Sequence, residues 1–142
     1  MTRQLIYGAL MWAVCGYALL RGGKAERIAA VGIIAMTYLS LLFVSSVALR
    51  FRHMELPVFM VDGSFFVVLL CLSMTTEKYW PLWLTAMQGL TALTHFAPYV
   101  PHVIPWAYAN AIAMWVYPML ATLACATWRH HRRKRGETFF TD

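Results

Sequence analysis

The chain has 142 residues, 61% of them hydrophobic and 13% charged, against roughly 45–50% and about 25% in ordinary soluble domains. A soluble domain of this size cannot hide so much apolar surface, and the mean hydropathy of +0.58 points to a bilayer as the solvent. A net charge of +6 would suggest nucleic acid in a soluble protein. Here the Lys and Arg residues fall between apolar runs and in the C-terminal tail, where they set orientation and meet anionic lipid head groups, so no nucleic-acid partner is expected.

Five apolar runs follow one another, over residues 5–20, 28–49, 58–76, 82–100 and 106–128. At about 1.5 Å per residue, each is close to the length that crosses a hydrocarbon core of roughly 30 Å. Backbone groups in hydrocarbon need internal partners, so the runs are expected to be helices. The connections are short and make consecutive helices antiparallel neighbours. The expected fold is an all-α integral membrane bundle of five transmembrane helices in one domain, 1–128, with a basic tail over 129–142. The first run is slightly short, and Arg21 can snorkel to extend it. A cleaved signal peptide is the alternative for that run. No small-x-small cleavage site follows it, and its removal would send the basic tail outside.

Orientation follows from the cations. With the N-terminus outside, the inner side holds Arg21, Lys24, Arg27, Lys78, Arg129, Arg132, Arg133, Lys134 and Arg135, and the outer side holds only Arg3, Arg50 and Arg52. This bias predicts N-out/C-in. Tyr79, Trp80, Trp83 and Trp128 would mark the inner interface, and Tyr99, Trp106 and Tyr108 the outer one.

In that orientation the polar residues gather in the outer half. His53 lies in the second connection, Asp62 one turn into the third run, His95 one turn before the end of the fourth, His102 in the loop beyond and Asn110 one turn into the fifth. Ionisable groups at membrane depth usually face a bundle interior or a wet cavity. Thr85, Gln88, His95, Tyr99 and His102 recur at helical spacing and would share one face. Pro98, Pro101 and Pro105 would bend or break the helix at its outer end. The candidate site is therefore an outer polar cluster of His53, Asp62, Gln88, His95, Tyr99, His102 and Asn110. Asp62, His95 and Asn110 are expected to converge, with His95 as the proton acceptor, since His changes charge near neutral pH. The plainer alternatives are that Gln88, Thr85 and Thr91 bond neighbouring helices, that His95 is a satisfied core histidine, and that Asp62 caps the third helix or pairs with Arg50 or Arg52.

Cys15, Cys71 and Cys125 fall at one expected depth near the inner face and could together bind a soft cation such as Cu(I). Each could equally be a small core hydrophobe. No cofactor is expected: a bis-histidine haem would need two intramembrane His at matching depth. No HExxH motif occurs, and Gly63-Ser64 lacks the surroundings of a nucleophile, so an enzyme is not expected either. Arg129, Arg132, Arg133, Lys134 and Arg135 have the cation density of a lipid- or partner-binding segment, and residues 136–142 look like a frayed end.

The leading functional expectation is an accessory or scaffold subunit packed against other membrane chains, or against itself. Small residues at Gly8, Ala9, Gly16, Ala29, Ala30, Ala121 and Ala124 would form its close-packing seams. The competing expectation is a small transporter or channel for protons or cations with an outer-leaflet polar cavity. A phage-type permeabilising protein is a third, resting on size and the basic tail alone. Convergent polar groups separate the second from the first.

Overall fold

A computed structural model describes residues 2–43, 56–96, 99 and 114–138. Among these there are five α-helices and no strand: α1 Thr2–Arg21, α2 Lys24–Phe43, α3 Leu56–Thr75, α4 Trp80–Thr94 and α5 Val116–Thr138. Two of them, α2 and α3, are long and apolar enough to cross a bilayer, with mean hydropathy 1.6 and 2.1. The apolar stretch of α1, Leu5–Arg21, is shorter.

The helix boundaries follow local chemistry. The α1–α2 link is only Gly22-Gly23. The Gly22 N–H donates to the Ala18 carbonyl at 2.9 Å, and a Cβ on Gly22 would run into that same carbonyl, so the reversal requires glycine there. With so tight a link, α2 starts at Lys24 rather than at residue 28. Near the starts of α3 and α4 stand Pro57 and Pro81, in the first turn where a missing N–H costs nothing. The largest departure from expectation is at the end of α4, which stops at Thr94 rather than reaching residue 100. The His95 and Phe96 N–H groups close tighter bonds to Ala92 and Leu93, at 3.2 and 3.1 Å.

Each helix packs on its sequence neighbours, and α5 fits between α1 and α4 while also touching α2, so the bundle closes on itself. The core runs through Cys15, Ala18, Ala29, Ala30, Ile33, Leu69, Leu84, Leu120 and Leu123, all buried. The Phe65 ring lies directly on Gly32, and Phe66 lies 3.1 Å from where a Cβ on Gly89 would sit. Small residues thus bring α2, α3 and α4 close. Ala29 and Ala30, expected on a partner-facing seam, are used inside the chain's own core. The Tyr7 hydroxyl bonds Thr37 Oγ1 at 2.9 Å and its ring meets Tyr117 edge-on at 6.4 Å, tying α1 to α2 and α5. Helix α5 continues through the whole basic run to Thr138, past the point where fraying was expected.

Candidate functional site

Asp62 sits in the second turn of α3, Gln88 in the middle of α4 and His95 just past its last turn. All three are buried. Asp62 Oδ2 lies 2.6 Å from His95 Nε2. Gln88 Nε2 donates to Asp62 Oδ1 at 3.2 Å and to the Asp62 backbone carbonyl at 3.1 Å. An ionised carboxylate can only accept, so with Asp62 ionised the Nε2 of His95 is the donor. The 2.6 Å separation is that of a charge-assisted bond. Phe59, one turn before Asp62, presents its ring edge-on to His95 at 6.0 Å and to Phe96 at 5.4 Å, covering the pair with apolar surface. Gln88 Oε1 is buried with no hydrogen-bond partner among the described residues. Beside a carboxylate–imidazole pair, it is an acceptor waiting for a donor.

The structure therefore brings together three of the residues expected in the outer cluster. Tyr99 does not join them. It is 70% exposed, because α4 ends before it and the helical phase that would have aligned it is lost. His53, His102 and Asn110 lie outside the described residues, as do Arg50 and Arg52. Asp62 is not a helix cap: α3 begins at Leu56, and both carboxylate oxygens are engaged by α4. Thr85 and Thr91 bond back to their own helix, at Pro81 and Met87, and among the described residues neither bonds a neighbouring helix.

The three cysteines do not converge. Cys15 is buried while Cys71 and Cys125 are exposed, and no three His, Cys, Asp or Glu residues form a metal-binding group among the described residues. Equal depth is not enough: helix rotation points two of the thiols outward.

A second polar cluster, absent from the sequence reading, sits at the opposite end of the bundle. Glu26, in the first turn of α2, is 1% exposed. Its Oε1 lies 2.7 Å from Nζ of Lys78, in the α3–α4 link. Its Oε2 is buried without a partner among the described residues, and so is Nε2 of His130 on α5. These two atoms lie 3.0 and 3.1 Å from the point where a Cβ on Gly23 would stand. The missing side chain of Gly23 leaves that space open between them. Glu26 was hidden in the sequence by its setting in Arg-Gly-Gly-Lys-Ala-Glu-Arg, which counts as a basic loop.

Farther along α5, Arg129, Arg132, Arg133, Lys134 and Arg135 are all exposed. The Arg132 guanidinium lies over the Trp128 ring at 5.0 Å, a cation–π contact. In comparison with known proteins, the chain matches no family model, no curated protein and no solved structure.

Proposed function

We propose that this protein is a small five-span membrane protein, oriented N-out/C-in, that passes protons or cations through its bundle, with Asp62 and His95 as the proton-accepting site. The observation that carries this reading is the buried 2.6 Å contact between Asp62 and His95. Packing alone has no need of it, since a buried ion pair can usually be replaced by apolar side chains of similar volume at little or no cost in stability. An accessory subunit would have no use for two ionisable groups at membrane depth, where they are costly, whereas a proton site requires them. The imidazole of His95 can carry or release a proton beside the Asp62 carboxyl, and Gln88 Oε1 offers a further acceptor for an arriving water or hydrated cation.

The bilayer setting is supported by what the helices leave uncovered. Only 28% of the most apolar window in either α2 or α3 is buried inside the protein. Large apolar side chains such as Leu20 and Met74 stand 79% and 80% exposed. A soluble core helix would hide these faces, whereas lipid solvates them. Arg21, Arg27, His131, Lys134 and Arg135 line one hollow, which supports placing the end of α1, the start of α2 and the end of α5 on one side of the membrane. Reporter fusions after residues 24, 53, 78, 102 and 142 should read in, out, in, out, in; an even number of crossings overturns the topology.

The transport test is direct. Purified protein in sealed liposomes should dissipate an imposed pH gradient, and His95→Gln should abolish this while inserting normally. An accessory role keeps one observation in its favour: a Cβ added at Gly8 or Gly16 of α1 meets nothing within 4 Å, leaving room for a partner helix. Wild-type vesicles that stay tight at every pH would overturn the transport reading and leave the accessory role.

A further inference from the structure

The strongest unassigned feature is a hollow of about 310 Å³ at the basic end of the bundle, lined by Leu20, Arg21, Gly22, Arg27, His131, Lys134 and Arg135. Three separate segments build it: the end of α1 with its two-glycine link, the first turn of α2, and the last turns of α5. Arg21, Arg27 and Lys134, which carry positive charge at neutral pH, converge there with the His131 imidazole, and no carboxylate is among the described lining residues. The nearest buried acid in sequence, Glu26, is not among the lining residues and is engaged by Lys78. Like charges gathered this way repel one another unless an anion sits among them. The volume matches that of roughly ten waters at about 30 Å³ each, more than a single small ion needs.

The rest of the basic run does not share in it. Arg129, Arg132 and Arg133 are not among the lining residues, and Arg132 is stacked on Trp128. Because the run is helical through Thr138, its cations are sorted by phase. One subset, His131, Lys134 and Arg135, faces the α1–α2 link, and the others face elsewhere. At the rim, Leu20 is 79% exposed and offers apolar surface to whatever occupies the hollow. Cations around a space larger than one small ion, next to an exposed apolar side chain at the end of the apolar helix α1, match a ligand that is anionic at one end and acyl at the other.

We propose that this hollow binds the phosphate head group of an anionic phospholipid of the inner leaflet, with Arg21 and Arg27 as its principal ligands. Guanidinium groups present paired donors that fit two phosphate oxygens at once. Lys134 adds charge from α5. An occupied site would clamp α5 onto the α1–α2 link, so lipid would also fix the closure of the bundle at this end. The inference goes beyond the proposed proton site and does not depend on it.

The test is native mass spectrometry of the full chain in a neutral detergent, titrated with phosphatidylglycerol, with phosphatidylcholine or with inorganic phosphate. Phosphatidylglycerol should remain bound where phosphatidylcholine does not, and inorganic phosphate should compete only weakly. The triple variant Arg21→Gln, Arg27→Gln, Lys134→Gln should lose affinity on the order of a hundredfold. The matched triple Arg129→Gln, Arg132→Gln, Arg133→Gln removes equal charge, all of it from α5, and should bind nearly as well as wild type. Arg21→Lys with Arg27→Lys preserves charge and orientation but loses the paired donors, and should weaken binding severalfold. Equal losses in the two Gln triples would show a general attraction of the basic segment and overturn the site. Inorganic phosphate binding as tightly as the lipid would overturn the lipid assignment, and unchanged binding in the Lys double variant would overturn the role of the two arginines.

Discussion

Asp62→Ala should destabilise the bundle by about 2–3 kcal/mol, because it leaves the buried His95 and Gln88 donors without their shared acceptor. His95→Ala should cost a similar amount, leaving a buried carboxylate held, among the described residues, by Gln88 alone. The double replacement should cost clearly less than the sum, since neither orphan remains; a coupling of about 1 kcal/mol or more is expected, near the upper end for polar pairs between membrane helices. A sharper separation comes from replacing both residues by Leu. An apolar pair can hold α3 against α4 as well as the ion pair does, so the Leu/Leu variant should unfold in mixed micelles near the wild-type midpoint yet carry no flux. Single variants within a few tenths of a kcal/mol of wild type would mean that the two side chains are not paired in the folded protein. A Leu/Leu variant that still conducts would remove the pair from the proposed transport.

The Asp62–Gln88–His95 group was partly legible in the sequence, for a simple reason. Gln88 and His95 are seven residues apart, two helical turns, and Asp62 was the one acid inside an apolar run. Periodicity placed the first two on one face, and the cost of a buried charge required a partner for the third. The periodicity failed at Tyr99 because it assumed a regular helix as far as residue 100. The chain instead tightens at His95, three residues before Pro98. The cysteines show the complementary limit. Depth in the membrane is readable from sequence, but rotation about the helix axis is not, and rotation decides whether thiols meet. The closure of the bundle by α5 was also beyond reach, because loop lengths fix only which neighbours are antiparallel. It depends on the packing of Met119, Leu120 and Leu123 into a core made by four other helices.

The two polar clusters are too far apart to act as one. From Asp62 to the end of α3 at Thr75 the helix rises about 20 Å, and Lys78 lies beyond that in the link. Between them the core is mostly apolar, with Thr85 and Thr127 each turned back to its own helix. Among the described residues no continuous chain of polar side chains joins the two clusters, so the proposed proton transfer would need water or motion between them.

Glu26 is the site of the second large effect. Lys78→Met strips from a carboxylate that is 1% exposed the one cation bonded to it among the described residues, so the burden of desolvation falls on Glu26. Lys78 is itself 40% exposed, so its loss is cushioned by water, and the expected cost is about 2 kcal/mol rather than the 3–5 kcal/mol of a fully enclosed pair. Glu26→Gln alone should cost less, because a neutral amide needs no cation. Adding Glu26→Gln to Lys78→Met should recover most of the loss. This ordering is the diagnostic result: a structural brace that needs either residue on its own merits would make the double variant the worst of the three. Flux separates the remaining roles. If Glu26 exchanges the proton at the inner end, Glu26→Gln lowers transport severalfold while the protein stays folded, whereas Glu26→Asp, shorter by one methylene but still an acid, restores part of it. Unchanged flux in Glu26→Gln, together with a stable fold, would confine Glu26 to joining the start of α2 to the α3–α4 link.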